Sequence, residues 1–255
     1  MPDRADVLGI PVDLLRRTQV ETWVREQVAT GETCAHVVTL NPEYVMAARR
    51  DAAFAAALQG ADLVTIDGAG IAVAVRLLAP GKAAKRVTGV DLVGMLAGIS
   101  AASGAGLFLL GAGPGVADAA ADALRAGHSG THIAGTWAEG SADPAYDAEA
   151  LRRIADSGAT VVFVAYGAPG QIHWIARNQA ALATMGVRLV IGIGGALDFV
   201  SGTVPRAPRL VRKLGLEWAY RLAREPWRWR RQMVLPVFGL LVLRDAVWRR
   251  VRRIR

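Results

Sequence analysis

The sequence predicts an α/β fold with a largely parallel sheet, flanking helices and a basic C-terminal helical appendage. Three observations predict it. Apolar runs of strand length alternate with longer amphipathic or Ala-rich runs as far as residue 200, the loops after the apolar runs are rich in Gly, Asn and Asp, and positive charge collects at the C-terminal end. At 255 residues and 53% hydrophobic content the chain is long and apolar enough for a sizeable core, which excludes disorder.

The strand candidates are 35–40, 63–66, 106–110, 131–135, 160–165 and 188–191. Helices are expected at 18–30, 42–58, 71–78, 91–103, 116–125, 146–156 and 171–185. Thr18 with Glu21 three residues on has the form of a capping box, and Asn41-Pro42 that of an N-cap followed by proline at the first helical position. In such a fold the ligand site lies beyond the carboxyl ends of the strands, so the loops that follow strands hold the chemistry.

The net charge of +8 is unevenly placed. Residues 206–255 hold 15 Lys and Arg against Glu217, Glu225 and Asp245, a balance of +12, while residues 1–205 carry −4. An acidic body with a basic tail points to an anionic partner, nucleic acid or a phospholipid surface. Leu210, Leu214, Trp218 and Leu222 recur at i+4, with Lys213, Arg221 and Arg224 on the other side, as in an amphipathic basic helix. It could dock on the core with its polar face in water, or lie at a membrane. Trp227-Arg-Trp-Arg-Arg, the apolar run 233–243 interrupted by Pro236, and Trp248-Arg-Arg-Val-Arg-Arg-Ile-Arg favour the second. Eleven apolar residues are too few to span a bilayer. The acidic N-terminal residues, with no apolar stretch after them, read as no secretory signal and hence a cytoplasmic protein. The single cysteine, Cys34, lies in an apolar run and reads as a buried small hydrophobe.

Five loops are chemically rich. Gly106-Leu-Phe-Leu-Leu-Gly-Ala-Gly-Pro-Gly-Val reads as strand, glycine turn and helix start, suited to a phosphate or simply to a tight turn. It does not match the dinucleotide fingerprint, and no P-loop is present. Asp67, after Leu-Val-Thr-Ile and before Gly68, sits where a general base belongs, or where an acid caps the next helix. Thr39 and Asn41 offer a hydroxyl and an amide at a neighbouring strand exit. The fourth loop, Tyr166-Gly-Ala-Pro-Gly-Gln, and the fifth, 192–202, complete the set. His36, His128, His132 and His173 have no metal-ligand spacing with each other or with Cys34, so no metal and no cofactor is expected.

Taken together these loops resemble the WecG/TagA/CpsF glycosyltransferase family. The matching pieces are Thr39-Leu-Asn-Pro-Glu-Tyr, Ala61-Asp-Leu-Val-Thr-Ile-Asp-Gly-Ala-Gly, Arg86-Val-Thr-Gly-Val-Asp-Leu, Leu109-Leu-Gly-Ala-Gly-Pro-Gly, Gly192-Ile-Gly-Gly-Ala-Leu-Asp-Phe and Arg206-Ala-Pro followed by Gly215-Leu-Glu-Trp-Ala-Tyr-Arg-Leu and Glu225-Pro, in order from about residue 7 to 232. The resemblance implies a Rossmann-like catalytic domain over 1–204 and a membrane-associating appendage over 205–255. It implies inverting transfer of a hexose or N-acetylhexosamine, N-acetylmannosamine among them, from a UDP-sugar to a polyprenyl-diphosphate-linked sugar, in bacterial cell-surface polymer synthesis.

By the same resemblance Asp67 is the general base, Thr39 and Asn41 orient the acceptor, and Arg86 lies near the diphosphate. Gly111, Gly113, Gly115, Tyr166, Gln171, Gly192, Gly194 and Asp198 line the donor pocket, and Arg221 and Arg224 reach it from the appendage. Partners would be the UDP-sugar, the lipid-linked acceptor and the inner face of the plasma membrane, with no nucleic acid; self-association near the appendage is also raised. Family members commonly read Gly-x-Pro-Lys-Gln-Glu at the fourth loop, whereas this chain has Gly167-Ala-Pro-Gly-Gln-Ile, losing a cation and an anion together. Two readings from other classes compete: a nucleic-acid-binding Rossmann-like protein with a basic tail, and an NAD-dependent oxidoreductase resting on Gly111 to Gly115 alone.

Overall fold

The computed structural model describes residues 3–82, 85–208, 210–211, 215–224, 226 and 229–254. Six parallel strands form the central sheet: β3 (Ala35–Leu40), β4 (Leu63–Ile66), β5 (Leu107–Gly111), β6 (Ile133–Trp137), β7 (Val161–Ala165) and β8 (Leu189–Gly192), in the order β4-β3-β8-β7-β5-β6. The five strands from β4 to β5 in that order read as apolar runs because both their faces are covered, while the edge strand β6 is only partly buried except at Trp137. Val37, Leu109, Phe163 and Ile191 point to the face covered by α1 (Arg17–Thr30), α5 (Gly89–Ser103) and α6 (Val116–Gly127). Their neighbours Val38, Leu110, Val164 and Val190 point to the other face. There α2 (Pro42–Ala48), α3 (Ala52–Gln59) and α4 (Ala69–Leu78) pack at one end, and α7 (Asp147–Ser157) and α8 (Gly170–Thr184) at the other.

All six predicted strands are present, shifted by at most two residues. The helix expected over 42–58 is two: Asp51 interrupts it, its carboxylate accepting from Phe54 N at 2.9 Å as the cap of α3. Asn41 caps α2 as expected, accepting from Tyr44 N at 3.0 Å. The Thr18–Glu21 capping box does not form. Helix α1 begins earlier, at Arg17, and Gln19 Oε1 accepts the N–H of Arg16 at 2.8 Å.

An antiparallel hairpin of β1 (Arg4–Val7) and β2 (Ile10–Asp13) precedes the sheet and escapes the sequence reading. Its two-residue turn, Leu8-Gly9, has φ of 55° and 93°, so a leucine stands where Asn or Asp would announce the turn. The fully buried Asp13 carboxylate ties the hairpin to the sheet, accepting from Arg4 Nε and Val64 N, both at 2.7 Å.

After β8 come α9 (Ala196–Val200), α10 (Glu217–Arg224), α11 (Trp229–Gln232) and α12 (Val234–Ile254). The helix expected through Leu210, Leu214, Trp218 and Leu222 is not continuous: Gly215 takes φ of 74° and α10 starts only at Glu217. Leu214, Lys213 and the start of the Trp227-Arg-Trp-Arg-Arg segment lie outside the described residues. Pro236 does not interrupt the last helix. It sits in the first turn of α12, where its missing N–H has no partner to lose. Phe238, Val242 and Ala246 bury one face of α12 against α2 and α4, each large side chain contributing on the order of 1.5–3 kcal/mol.

Candidate active site

The strand order places β3 and β8 side by side at the centre, and the crevice beyond their carboxyl ends is a pocket of about 500 Å³. Thr39, Asn41 and Asp67 enter from the ends of β3 and β4, Ala112 and Gly113 from that of β5, Tyr166 from that of β7, and Gly194 and Asp198 from the β8 side. Arg206, Glu217, Trp218 and Arg221 close it from the C-terminal segment.

Asp67 lies at the floor. It does not cap α4, whose N-cap is Gly68, so that alternative fails. Its carboxylate instead receives the backbone N–H of Gly89 at the start of α5. Burial pushes its pKa up to about 6; the Arg86 guanidinium and the Gly89 N–H pull it down, and Glu217 and Asp91 add to the rise. A carboxyl of that pKa is a carboxylate at neutral pH, yet basic enough to receive a proton from a hydroxyl. Arg86 is placed by the sheet itself, pairing as a parallel bridge with Ile66 while Val87 N donates to Ile66 O at 3.0 Å.

The start of α5 is held by a reciprocal cap. Asp91 N donates to Thr88 Oγ1 at 3.2 Å, Thr88 N donates to Asp91 Oδ2 at 3.0 Å, and Arg206 Nη2 reaches Thr88 Oγ1 at 3.5 Å. Arg221 stacks over Phe199 at 4.8 Å and pairs with Asp198 at 3.7 Å. Among the described residues three guanidiniums, those of Arg86, Arg206 and Arg221, thus share one pocket with Asp67.

The WecG/TagA/CpsF glycosyl transferase family model matches residues 5–252. The chain belongs to this family of glycosyltransferases. Among similar proteins is one named N-acetylglucosaminyldiphosphoundecaprenol N-acetyl-beta-D-mannosaminyltransferase from Bacillus subtilis (strain 168), 32% identical over 83% of this chain and 80% of its own. The protein of the same name from Bacillus spizizenii is 32% identical over 82% of this chain and 79% of its own. Membership takes the transferase reading over the nucleic-acid-binding and oxidoreductase readings.

Of the residues singled out in the sequence, the transferase brings Asp67, Thr39, Asn41, Arg86, Gly113, Tyr166, Gly194, Asp198 and Arg221 into the pocket wall. Five lie elsewhere. Gly111 and Gly115 shape the turn behind Gly113, both with positive φ. Arg224 points away, over the Tyr220 ring at 5.5 Å. Gln171, expected to line the pocket, is fully buried behind it: its Oε1 accepts from Gly194 N at 2.9 Å and Gly167 N at 3.2 Å, and its Nε2 donates to the Tyr44 hydroxyl. Gly192 makes room for that amide, since a Cβ there would meet Gln171 Nε2 at 2.9 Å.

Arg206, Glu217 and Thr88 were not singled out as site residues. Each stands inside a quoted family segment; Thr88 with Asp91 has the spacing of a capping box, which marks a helix start and not a site, and no local pattern marks Arg206 or Glu217. At the altered fourth loop Ile172 is fully buried in the apolar core, and a Cβ on Gly170 would meet Ala142 Cβ at 2.8 Å.

Proposed function

We propose that this transferase moves an N-acetylhexosamine, of the N-acetylmannosamine class, from a UDP-sugar to a polyprenyl-diphosphate-linked GlcNAc with inversion at the anomeric carbon. Asp67 is the general base and no metal takes part. The observation that carries the reading is one recessed carboxyl of raised pKa in a pocket that also holds Arg86, Arg206 and Arg221.

In this reaction the acceptor hydroxyl oxygen attacks the anomeric carbon opposite the bond to the diphosphate. That carbon–oxygen bond breaks, its electron pair leaves with UDP, and the hydroxyl proton passes to Asp67. Thr39 and Asn41 border Asp67 and orient the acceptor. The guanidiniums offer paired donors to the departing diphosphate, the work a divalent ion does in other transferases. The names of the Bacillus relatives support the sugar and the lipid-linked acceptor.

Residues 1–204 form the catalytic unit and 205–255 the appendage that meets the inner face of the plasma membrane. Among the described residues no helix is long and apolar enough to cross a membrane. Exposed Trp229, Leu240, Val247 and Trp248 with neighbouring arginines fit a peripheral contact.

The test is UDP release from a panel of UDP-sugars, with and without a polyprenyl-diphosphate-GlcNAc analogue, on anionic vesicles. Release with UDP-N-acetylmannosamine that depends on the acceptor is the expected result. Folded, vesicle-bound protein that releases UDP from no donor overturns it.

A further inference from the structure

Among the acids that line the pocket beside Asp67 is Glu217, which the proposed chemistry does not use. Glu217, first residue of α10, turns one carboxylate oxygen to each of two guanidiniums: Oε2 is 3.8 Å from Arg86 Nη2 and Oε1 is 3.5 Å from Arg206 Nε. Its side chain is 22% exposed and those of both arginines 26%, so all three are largely withdrawn from water. An anion whose oxygens span two guanidiniums takes the place a phosphate takes.

These contacts are loose. Elsewhere the chain makes tight pairs, with Arg4–Asp13 and Arg152–Asp156 both at 2.7 Å, the length of charge-assisted hydrogen bonds. At 3.5 to 3.8 Å the Glu217 pairs keep Coulomb attraction without that alignment, and an anion with more oxygens and more charge can displace the carboxylate. Glu217 therefore occupies the same donors that a diphosphate would use.

We propose that Glu217 is an exchangeable counter-ion on Arg86 and Arg206, displaced when a substrate diphosphate takes them over. The inference rests on the reading of the pocket as a sugar-diphosphate site. Glu217 rides on the helix that also brings Trp218 and Arg221 to the pocket, so its release reports occupancy to the appendage. It also stands near Asp67, whose proton affinity it raises. Two properties are therefore tied to one carboxylate: competition with phosphate and the basicity of Asp67.

The experiment is calorimetric titration of the full chain with inorganic pyrophosphate and with UDP, as wild type, Glu217→Gln and Glu217→Asp, alongside the pH dependence of kcat/KM. In Glu217→Gln, pyrophosphate is expected to bind about 3- to 10-fold tighter, the scale of one partly screened ion pair. The acid limb of kcat/KM is expected to move to lower pH. Glu217→Asp keeps the charge and stays near wild type in both. A merely structural role gives weaker or unchanged pyrophosphate binding in Glu217→Gln with the acid limb unmoved, and that result overturns the proposal. Wild type that binds neither pyrophosphate nor UDP overturns the diphosphate reading beneath it, an outcome seen before any variant is made.

Discussion

At Asp67 burial and catalysis pull in one direction. Burial raises the carboxyl to about 6, which makes it a better base at neutral pH and a poorer contributor to stability. Its folded pKa lies above the ordinary value of 3.8, so the folded state holds the proton more tightly than the unfolded chain does. The stability that this gives is complete below about 3.8 and is lost as pH rises through about 6. Asp67→Asn, measured at pH 8, is thus expected to be more stable by about 1–3 kcal/mol and slower by about 10²–10⁴-fold. Wild-type kcat/KM should fall below a pH near 6, and the residual rate of the variant should lack that limb. Thermal melts and a pH–rate profile check both, and an active variant sinks the base assignment. Asp67, Thr39 and Asn41 were legible because the end of a strand fixes where the next side chain goes. Glu217 and Arg206 were not, because they reach the pocket from a segment whose path depends on where the chain turns after residue 205.

The loops after β7 and β8 depend on α8. Gln171 in its first turn joins Gly167, Gly194 and Tyr44, each on a different segment around the pocket. Gln171→Leu keeps the volume, removes the amide's bond to Tyr44 and leaves the Gly167 and Gly194 N–H groups without the oxygen they share, at about 1–3 kcal/mol for each N–H that finds no substitute. The expected outcome is a lower midpoint in urea and a raised donor KM, with the acid limb of the pH profile still near 6, since Asp67 is untouched. A variant with unchanged donor KM shows that the two loops hold their shape without the amide. Periodicity predicted that α8 exists and starts here, but not which way its first turn faces. Likewise strands buried on both faces stand out as continuous apolar runs, while the short hairpin β1–β2, with Leu8 in a left-handed turn, carries no such mark. The 42–58 segment misled for a related reason: alanine-rich sequence on both sides of Asp51 hides a cap that tertiary packing uses, Asp51 also meeting His173 Nε2 at 2.9 Å.

On the scale of the molecule the charge asymmetry and helix α12 belong together. One face of α12 is spent on the core through Phe238, Val242 and Ala246, yet Val237, Leu240, Val247 and Val251 on other faces are 47 to 68% exposed. A helix apolar on both sides and carrying Arg244, Arg250 and Arg252 matches a surface that is both greasy and anionic. Arg252 stacks on Trp248 at 3.8 Å, which sets an aromatic ring and a cation at the same depth. Both terms should therefore appear in binding. Phosphatidylglycerol vesicles are expected to hold the protein, salt to weaken the interaction and neutral phosphatidylcholine vesicles to bind poorly. Leu240→Asp with Val247→Asp removes apolar contact and adds two like charges to an anionic surface, so vesicle affinity should fall by about tenfold or more. The face against α2 and α4 is untouched, so the melting temperature in solution should hold. Co-sedimentation separates the cases: a double variant that binds as wild type does assigns the contact to α10 and α11, and one that loses binding with its fold intact assigns it to the outer face of α12.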